Sequence, residues 1–166
     1  MPIITTAVLA GGCFWGLEEL IGQIPGVTQT EVGYAGGDFD HPSYEDICTG
    51  RTGHAESVRV HFDAAQLTYE ALLLQFFKMH DPTTHHQQGN DLGSQYRSVI
   101  FYQDEAQRRI ATEVMQRVEA SKAWKKPLVT ELVPASPFWR AEEYHQHYLQ
   151  KNPGGYTCHF LRDLDF

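Results

Sequence analysis

The chain has 166 residues, a length that suits one globular domain in which folding buries about 70% of the unfolded surface. With 42% hydrophobic and 20% charged residues, the composition excludes disordered, collagenous and coiled-coil classes. The 13 Lys and Arg against 21 Asp and Glu give a net charge of −8, and no basic run could neutralise a row of phosphates, so nucleic acid is not an expected partner.

No apolar run reaches the roughly 18 residues a bilayer span needs, and Met1 to Ala10 lacks the basic start of a leader peptide. The expectation is a cytoplasmic monomer without a membrane partner. One domain over residues 1–166 is expected, with 152–166 as a coil-rich tail.

The β-branched, apolar stretch Ile3 to Ala10 ends at Gly11-Gly12, and Phe14, Leu17, Leu20, Ile21 and Ile24 then recur at helical spacing. Val27 to Ala35 predicts a second strand, followed by a loop over 36–42 and a short helical turn from Ser43. From Glu56, the residues Val58, Val60 and Phe62 alternate with Ser57, Arg59 and His61, the period of a half-buried strand. Thr68 caps a predicted helix to about His80 with a core face of Leu72, Leu73, Phe76, Phe77 and His80.

Residues 81–96 have no regular period and read as a long loop of the kind that carries function. A strand over 98–102, a helix over 104–120 through Ile110, Val114 and Val118, a strand over 129–133 and a helix over 141–150 complete the pattern. The tail after Asn152-Pro-Gly-Gly is too rich in turn residues for regular structure. The order β-α-β-β-α-β-α-β-α predicts an α+β fold: a mixed sheet with packed helices on a ferredoxin-like split β-α-β core, with an irregular C-terminal tail.

Cys13, Cys48 and Cys158 are odd in number and widely spaced, which is neither a disulfide framework nor a paired zinc motif. Cys48, beside Ile47, reads as a small buried hydrophobe. Cys13 lies between a glycine pair and a helix start, where unpaired N–H groups and the helix dipole favour a thiolate. The same position suits an inert cysteine at a tight turn, so position alone leaves both readings open. Phe14 and Trp15 cannot both face one core, and an aromatic wall beside a thiolate suits a small apolar group next to an electrophilic atom, such as the methyl group of a sulfoxide.

The stretch Gly11 to Glu18, GGCFWGLE, resembles the active-site signature of the peptide methionine sulfoxide reductase A family. VGYAGG at 32–37, SYEDIC at 43–48, GHAE at 53–56, QGNDLGSQYRS at 88–98 and KNPGGY at 151–156 resemble that family's other motifs in order. The resemblance spans nearly the whole chain. It implies reduction of the S epimer of methionine sulfoxide, free or in proteins, as oxidative damage repair. It further implies Cys13 as nucleophile, Glu56, Tyr44 and Tyr96 as hydrogen-bonding groups on the sulfoxide oxygen, Asp91 in the same polar cluster, and Phe14 and Trp15 around the methyl group. If Glu56 sits among the aromatics with little water, desolvation raises its pKa and makes it a proton donor.

Turnover then needs a second thiol to condense with the Cys13 sulfenic acid, and Cys158 on its flexible tail is the candidate. Some members place two cysteines in this tail, whereas here Cys158 stands alone, so one exchange step is implied. Thioredoxin is the reductant that the resemblance implies, with no cofactor and no metal. His85-His86 and His145-x-His147 do not converge as a ligand set, and Gly11, Gly12 and Gly16 do not match a dinucleotide loop. Two rival readings remain: a Cys13-His54-Glu56 hydrolase, and a binding module built on Phe14, Trp15, Tyr44 and Trp139.

Overall fold

The structure, a computed structural model, describes residues 2–166. Its centre is β1 (Ile4–Gly11), whose 7–11 stretch is buried. β1 pairs antiparallel with β3 (Ala55–Asp63) on one side and β6 (Ser98–Tyr102) on the other. β3 pairs antiparallel with β2 (Val27–Ala35), which places β1 parallel to β2 with β3 between them. That is the split β-α-β arrangement, with α1 (Phe14–Gly22) and α3 (Tyr69–Met79) as its crossovers. β7 (Glu131–Pro134) extends the sheet in parallel beside β6, and β8 (Trp139–Arg140) extends it antiparallel beside β2.

Side-chain parity decides which face each strand buries. Leu9, Val32, Val58, Val60, Phe62 and Ile100 meet Phe14, Leu17 and Ile21 of α1, Leu72, Leu73, Phe76 and Phe77 of α3, and Ala111, Val114 and Val118 of α4 (Glu105–Ser121) in the main core. The opposite parity gives a smaller cluster of Val8, Ala10, Ala35, Ala55, Val99 and Phe101. The helix starts follow local chemistry: Thr68 Oγ1 accepts the Ala71 N–H at 3.0 Å and Asp104 Oδ1 accepts the Gln107 N–H at 2.8 Å. Ser43 and Asp46 form a capping box at α2 (Tyr44–Cys48).

Three expectations change. Residues 81–96 are not featureless, because β4 (Gln87–Gln88) and β5 (Asp91–Leu92) form a hairpin followed by a 3₁₀ turn over Ser94–Tyr96. The helix expected over 141–150 is only a 3₁₀ turn at Glu143–His145 and the four-residue α5 (Tyr148–Lys151), interrupted at His147 with φ 53°. Its cause is Gln146, whose amide accepts the Val32 N–H and donates to the carbonyls of Val32 and Ala141, all at 2.9–3.0 Å, so the segment is drawn onto β2. Cys48 is exposed because Ile47, one residue earlier on α2, takes the core position.

The tail has no regular structure, as expected, yet it is not loose. Arg162 donates its N–H to Lys78 O at 3.0 Å and stacks its guanidinium over Trp124 and Phe160, while Arg117 donates to Phe166 O.

Phe76 is fully buried, with its ring 4.3 Å from that of His80. Phe76→Ala should cost about 3–5 kcal/mol, read as a lower urea midpoint with an unchanged slope.

Candidate active site

The turn from β1 to α1 delivers Cys13 to the first position before the helix, with Gly12 at φ +94° in the left-handed region that glycine tolerates. Gly11 packs against the ring of His80, where a Cβ would lie 3.0 Å away. That ring is pinned: Nδ1 donates to Phe76 O at 2.9 Å, so the Nε2 lone pair accepts from the Ser98 hydroxyl at 2.8 Å. Complete burial pushes its pKa down to about 3, and it stays neutral.

Glu56 opens β3 on the same parity as Val58, Val60 and Phe62, so its carboxyl points into the core and is 1% exposed. Its Oε1 accepts the Phe14 N–H at 3.2 Å, one residue beyond Cys13. Burial raises its pKa to about 8; the Phe14 N–H works against this and the Asp91 charge adds to it. The expectation of a raised Glu56 pKa thus agrees with the geometry.

Cys13 runs against expectation. Burial, and then the Glu56 charge, push its thiol pKa far up, outweighing the Trp15 N–H that favours the thiolate. A thiolate here is disfavoured because a buried anion costs more than the helix start can offset.

The remaining predicted residues converge. Tyr96 feels burial and then Glu56, Tyr44, Asp91 and Cys13, all raising its pKa; Tyr44 feels burial and then Glu56, with Cys48 and Cys13 as further contributors. Both phenols are therefore neutral donors. Arg97 holds the Tyr96 turn by donating to Ser94 O at 2.9 Å and to Gly53 O at 3.0 Å. Asp91, on the hairpin, accepts from the Cys158 thiol with Sγ 3.8 Å from Oδ2, and burial raises the pKa of both groups. The Cys158 charge also acts on Cys13, so the two thiols share one pocket of electrostatic influence. Asp91 would be harder to ionise still without its bonds from Tyr156 and Cys158.

Phe14 and Trp15 separate as the crowding argument requires. Phe14 is fully buried, with its ring 5.7 Å from Tyr34 and 5.2 Å from His145. Trp15 stays partly exposed, stacks on Tyr148 at 3.8 Å and 12°, and donates its indole N–H to His145 Nδ1 at 2.9 Å.

Sequence reasoning missed several supporting residues. Glu142 accepts the Tyr34 hydroxyl at 2.9 Å through one oxygen and the Tyr44 N–H at 2.9 Å through the other, which fixes where Tyr44 stands. His145 packs its ring 4.4 Å from Tyr44. Gln88 binds the backbone of Asp81 through both ends of its amide and so anchors the hairpin. Gln88 lies inside a quoted motif, whereas Glu142 and His145 carried no such signal.

The rival readings fail on geometry. His54 accepts the Gly37 N–H at Nδ1 (3.0 Å) and donates to Phe39 O from Nε2 (2.6 Å), leaving no nitrogen to deprotonate Cys13 as a hydrolase requires. Trp139 packs its ring on His41 at the sheet edge, not on the Trp15–Tyr148 stack. Among the described residues, no three His, Cys, Asp or Glu side chains gather as a metal-binding group, and no helix is long and apolar enough to cross a membrane.

Glu56 links stability to pH. It is protonated up to about 8 in the folded chain but only up to its ordinary value of 4.5 when unfolded, so the folded state holds the extra proton in that window. This stability is fully present below 4.5 and should be lost as pH rises through about 8, with a flatter denaturation profile in Glu56→Gln. The same variant should lower the pKa of the Cys13 thiol, followed by thiolate ultraviolet absorbance, because the neighbouring charge is removed.

Known proteins share this sequence and fold. The family model described as peptide methionine sulfoxide reductase matches residues 5–164. The peptide methionine sulfoxide reductase MsrA of Mycobacterium sp. (strain MCS) is 53% identical over 94% of this chain and 89% of its own length. Among solved structures, Mxr1 from Saccharomyces cerevisiae in reduced form superposes with a TM-score of 0.90 at 36% identity, covering 96% of this chain and 93% of Mxr1. Mxr1 in complex with Trx2 superposes with a TM-score of 0.64 at 25% identity, covering 96% of this chain and 91% of that one. With the family's model matched over residues 5–164 and a glycine-flanked cysteine set against a buried carboxyl, this chain belongs to the peptide methionine sulfoxide reductase A family and is an oxidoreductase acting on methionine sulfoxide.

Proposed function

We propose that the chain reduces the S epimer of methionine sulfoxide, free or in proteins, as a cytoplasmic repair enzyme. The observation that carries the mechanism is the buried Glu56 carboxyl, which keeps its proton up to about pH 8 and sits one residue from Cys13 through the Phe14 N–H. Cys13 Sγ bonds to the sulfoxide sulfur while Glu56 gives its proton to the sulfoxide oxygen and takes one from the Cys13 thiol; the hydroxyl then passes to Sγ as the bonds from the substrate sulfur to oxygen and to Sγ break, which releases methionine. The neutral hydroxyls of Tyr44 and Tyr96 hydrogen-bond that oxygen, Asp91 belongs to the same polar cluster, and Phe14 and Trp15 hold the methyl group. The substrate sulfur is reduced by two electrons and the Cys13 sulfur is oxidised by two, to a sulfenic acid. Protonation of Glu56 also removes the charge that most opposes a Cys13 thiolate after burial, so donor and nucleophile are set by one titration.

Cys158 then supplies the second thiol: its sulfur bonds to that of Cys13, the S–O bond breaks, and the Cys158 proton leaves with the hydroxyl as water. Thioredoxin reduces the resulting disulfide, a reading supported by the complex that Mxr1 forms with Trx2. The docked tail changes the expected route, because Cys158 already lies beside Asp91 and need not search from solvent.

Single-turnover assays of pre-reduced protein test the roles. Cys13→Ser should yield no methionine, whereas Cys158→Ser should yield one methionine per chain and stall as sulfenic acid. The parent should lose activity as pH rises through about 8, and Glu56→Gln should slow methionine formation by about 10²–10⁴-fold and remove that alkaline limb. Equal loss in both cysteine variants would overturn the division of labour.

A further inference from the structure

The glycines around Cys13 leave a gap that the C-terminal tail fills. A Cβ on Gly16 would lie 2.6 Å from His159 Nδ1, and one on Gly12 would lie 3.1 Å from His159 Nε2 and 2.6 Å from Gln88 Cγ. Gly89, on the hairpin, gives the same room to Cys158: a Cβ there would stand 3.1 Å from the Cys158 Cβ and 3.4 Å from its sulfur.

Into this gap goes His159, only 7% exposed although both of its chain neighbours Cys158 and Phe160 are more open. Its Nε2 donates to Gly11 O at 2.6 Å, which fixes the neutral tautomer and leaves the Nδ1 lone pair facing Cys158 Sγ at 3.9 Å. Its own N–H donates to Thr157 Oγ1 at 3.1 Å. One imidazole thus joins the carbonyl two residues before Cys13 to the residue next to Cys158.

We infer that His159 is a positioning residue for the disulfide step: seated between Gly12 and Gly16 on the Gly11 carbonyl, it presents the Cys158 thiol to the sulfenic acid on Cys13. This rests on Cys158 being the resolving thiol. The step itself forms one S–S bond, breaks one S–O bond and releases water, and it needs no group from His159 beyond placement.

The test follows both steps in the full chain, with excess methionine sulfoxide and no reductant: methionine release for the first step, sulfenic-acid lifetime by dimedone capture and mass for the second. His159→Ala should leave methionine release within a few-fold of the parent and slow disulfide formation by about 10²-fold, the scale on which misplacement of a reacting group acts. His159→Gln, which can still donate to Gly11 O, should recover most of that loss. Gly16→Ala should produce the same lag from the other side of the contact, and combining it with His159→Ala should add little, since both disrupt one seat.

Cys158→Ser runs alongside. If it stalls as sulfenic acid while the His159 variants resolve at the parent rate, the inference is wrong and the resolving role stands. If it does not stall, the resolving role itself fails. Equal slowing of both steps by His159→Ala would mark a general structural part and overturn the inference, and should that variant not fold, His159→Gln and Gly16→Ala decide the matter.

Discussion

The rest of this site depends on one buried contact: the Glu56 carboxyl accepting the Phe14 N–H at the start of α1. A carboxyl in that place cannot ionise cheaply, since water is excluded and one backbone N–H offsets only part of the cost. It therefore keeps a proton where an ordinary carboxylate would have none. The same contact ties the first residue of α1 to the second residue of β3, so Glu56 and Cys13 are held in register by the fold.

Around that contact the molecule assembles neutral groups. Cys13, Tyr44, Tyr96 and Cys158 all have raised pKa values in which burial is the first cause, and His80 and His159 are depressed by the same burial. A site built this way favours chemistry in which protons move with the heavy atoms rather than chemistry that starts from a stored charge. Positioning falls to residues outside the reacting set: Glu142 under Tyr44, Arg97 under Tyr96, Gln88 under the hairpin. Each satisfies backbone or side-chain partners that a loop alone would leave unpaired.

Much of the fold was legible because periodicity and capping act locally. The alternation of Val58, Val60 and Phe62 set the face of β3, Thr68 and Asp104 set the starts of α3 and α4, and the element order pointed to the split β-α-β core. Extending that alternation back two residues places Glu56 on the core face, so even its burial had a signal in the strand's parity. The helix expected over 141–150 failed because Gln146 exchanges hydrogen bonds with β2, a residue pair 114 apart in the chain. Cys48 failed by a single step along a helix, where Ile47 took the inward position. The candidate site residues were recognisable as motifs, but His145, Tyr148 and Glu142 act through contacts that no local pattern marks.

By itself the sequence determined the order of elements, the cysteine placed at a glycine-to-helix junction, and the motif set that identifies the family, because these rest on neighbours along the chain. Only the tertiary structure decided the proton states and the partner of the tail. Whether a helix-start cysteine is a thiolate depends on the net of dipole, burial and nearby charge, and here burial and Glu56 outweigh the helix. Whether the tail swings free or docks depends on the space left by Gly12 and Gly16, which His159 occupies from 148 residues beyond Gly11. Both are matters of long-range packing, in which the energy of a group is set by what the fold brings against it.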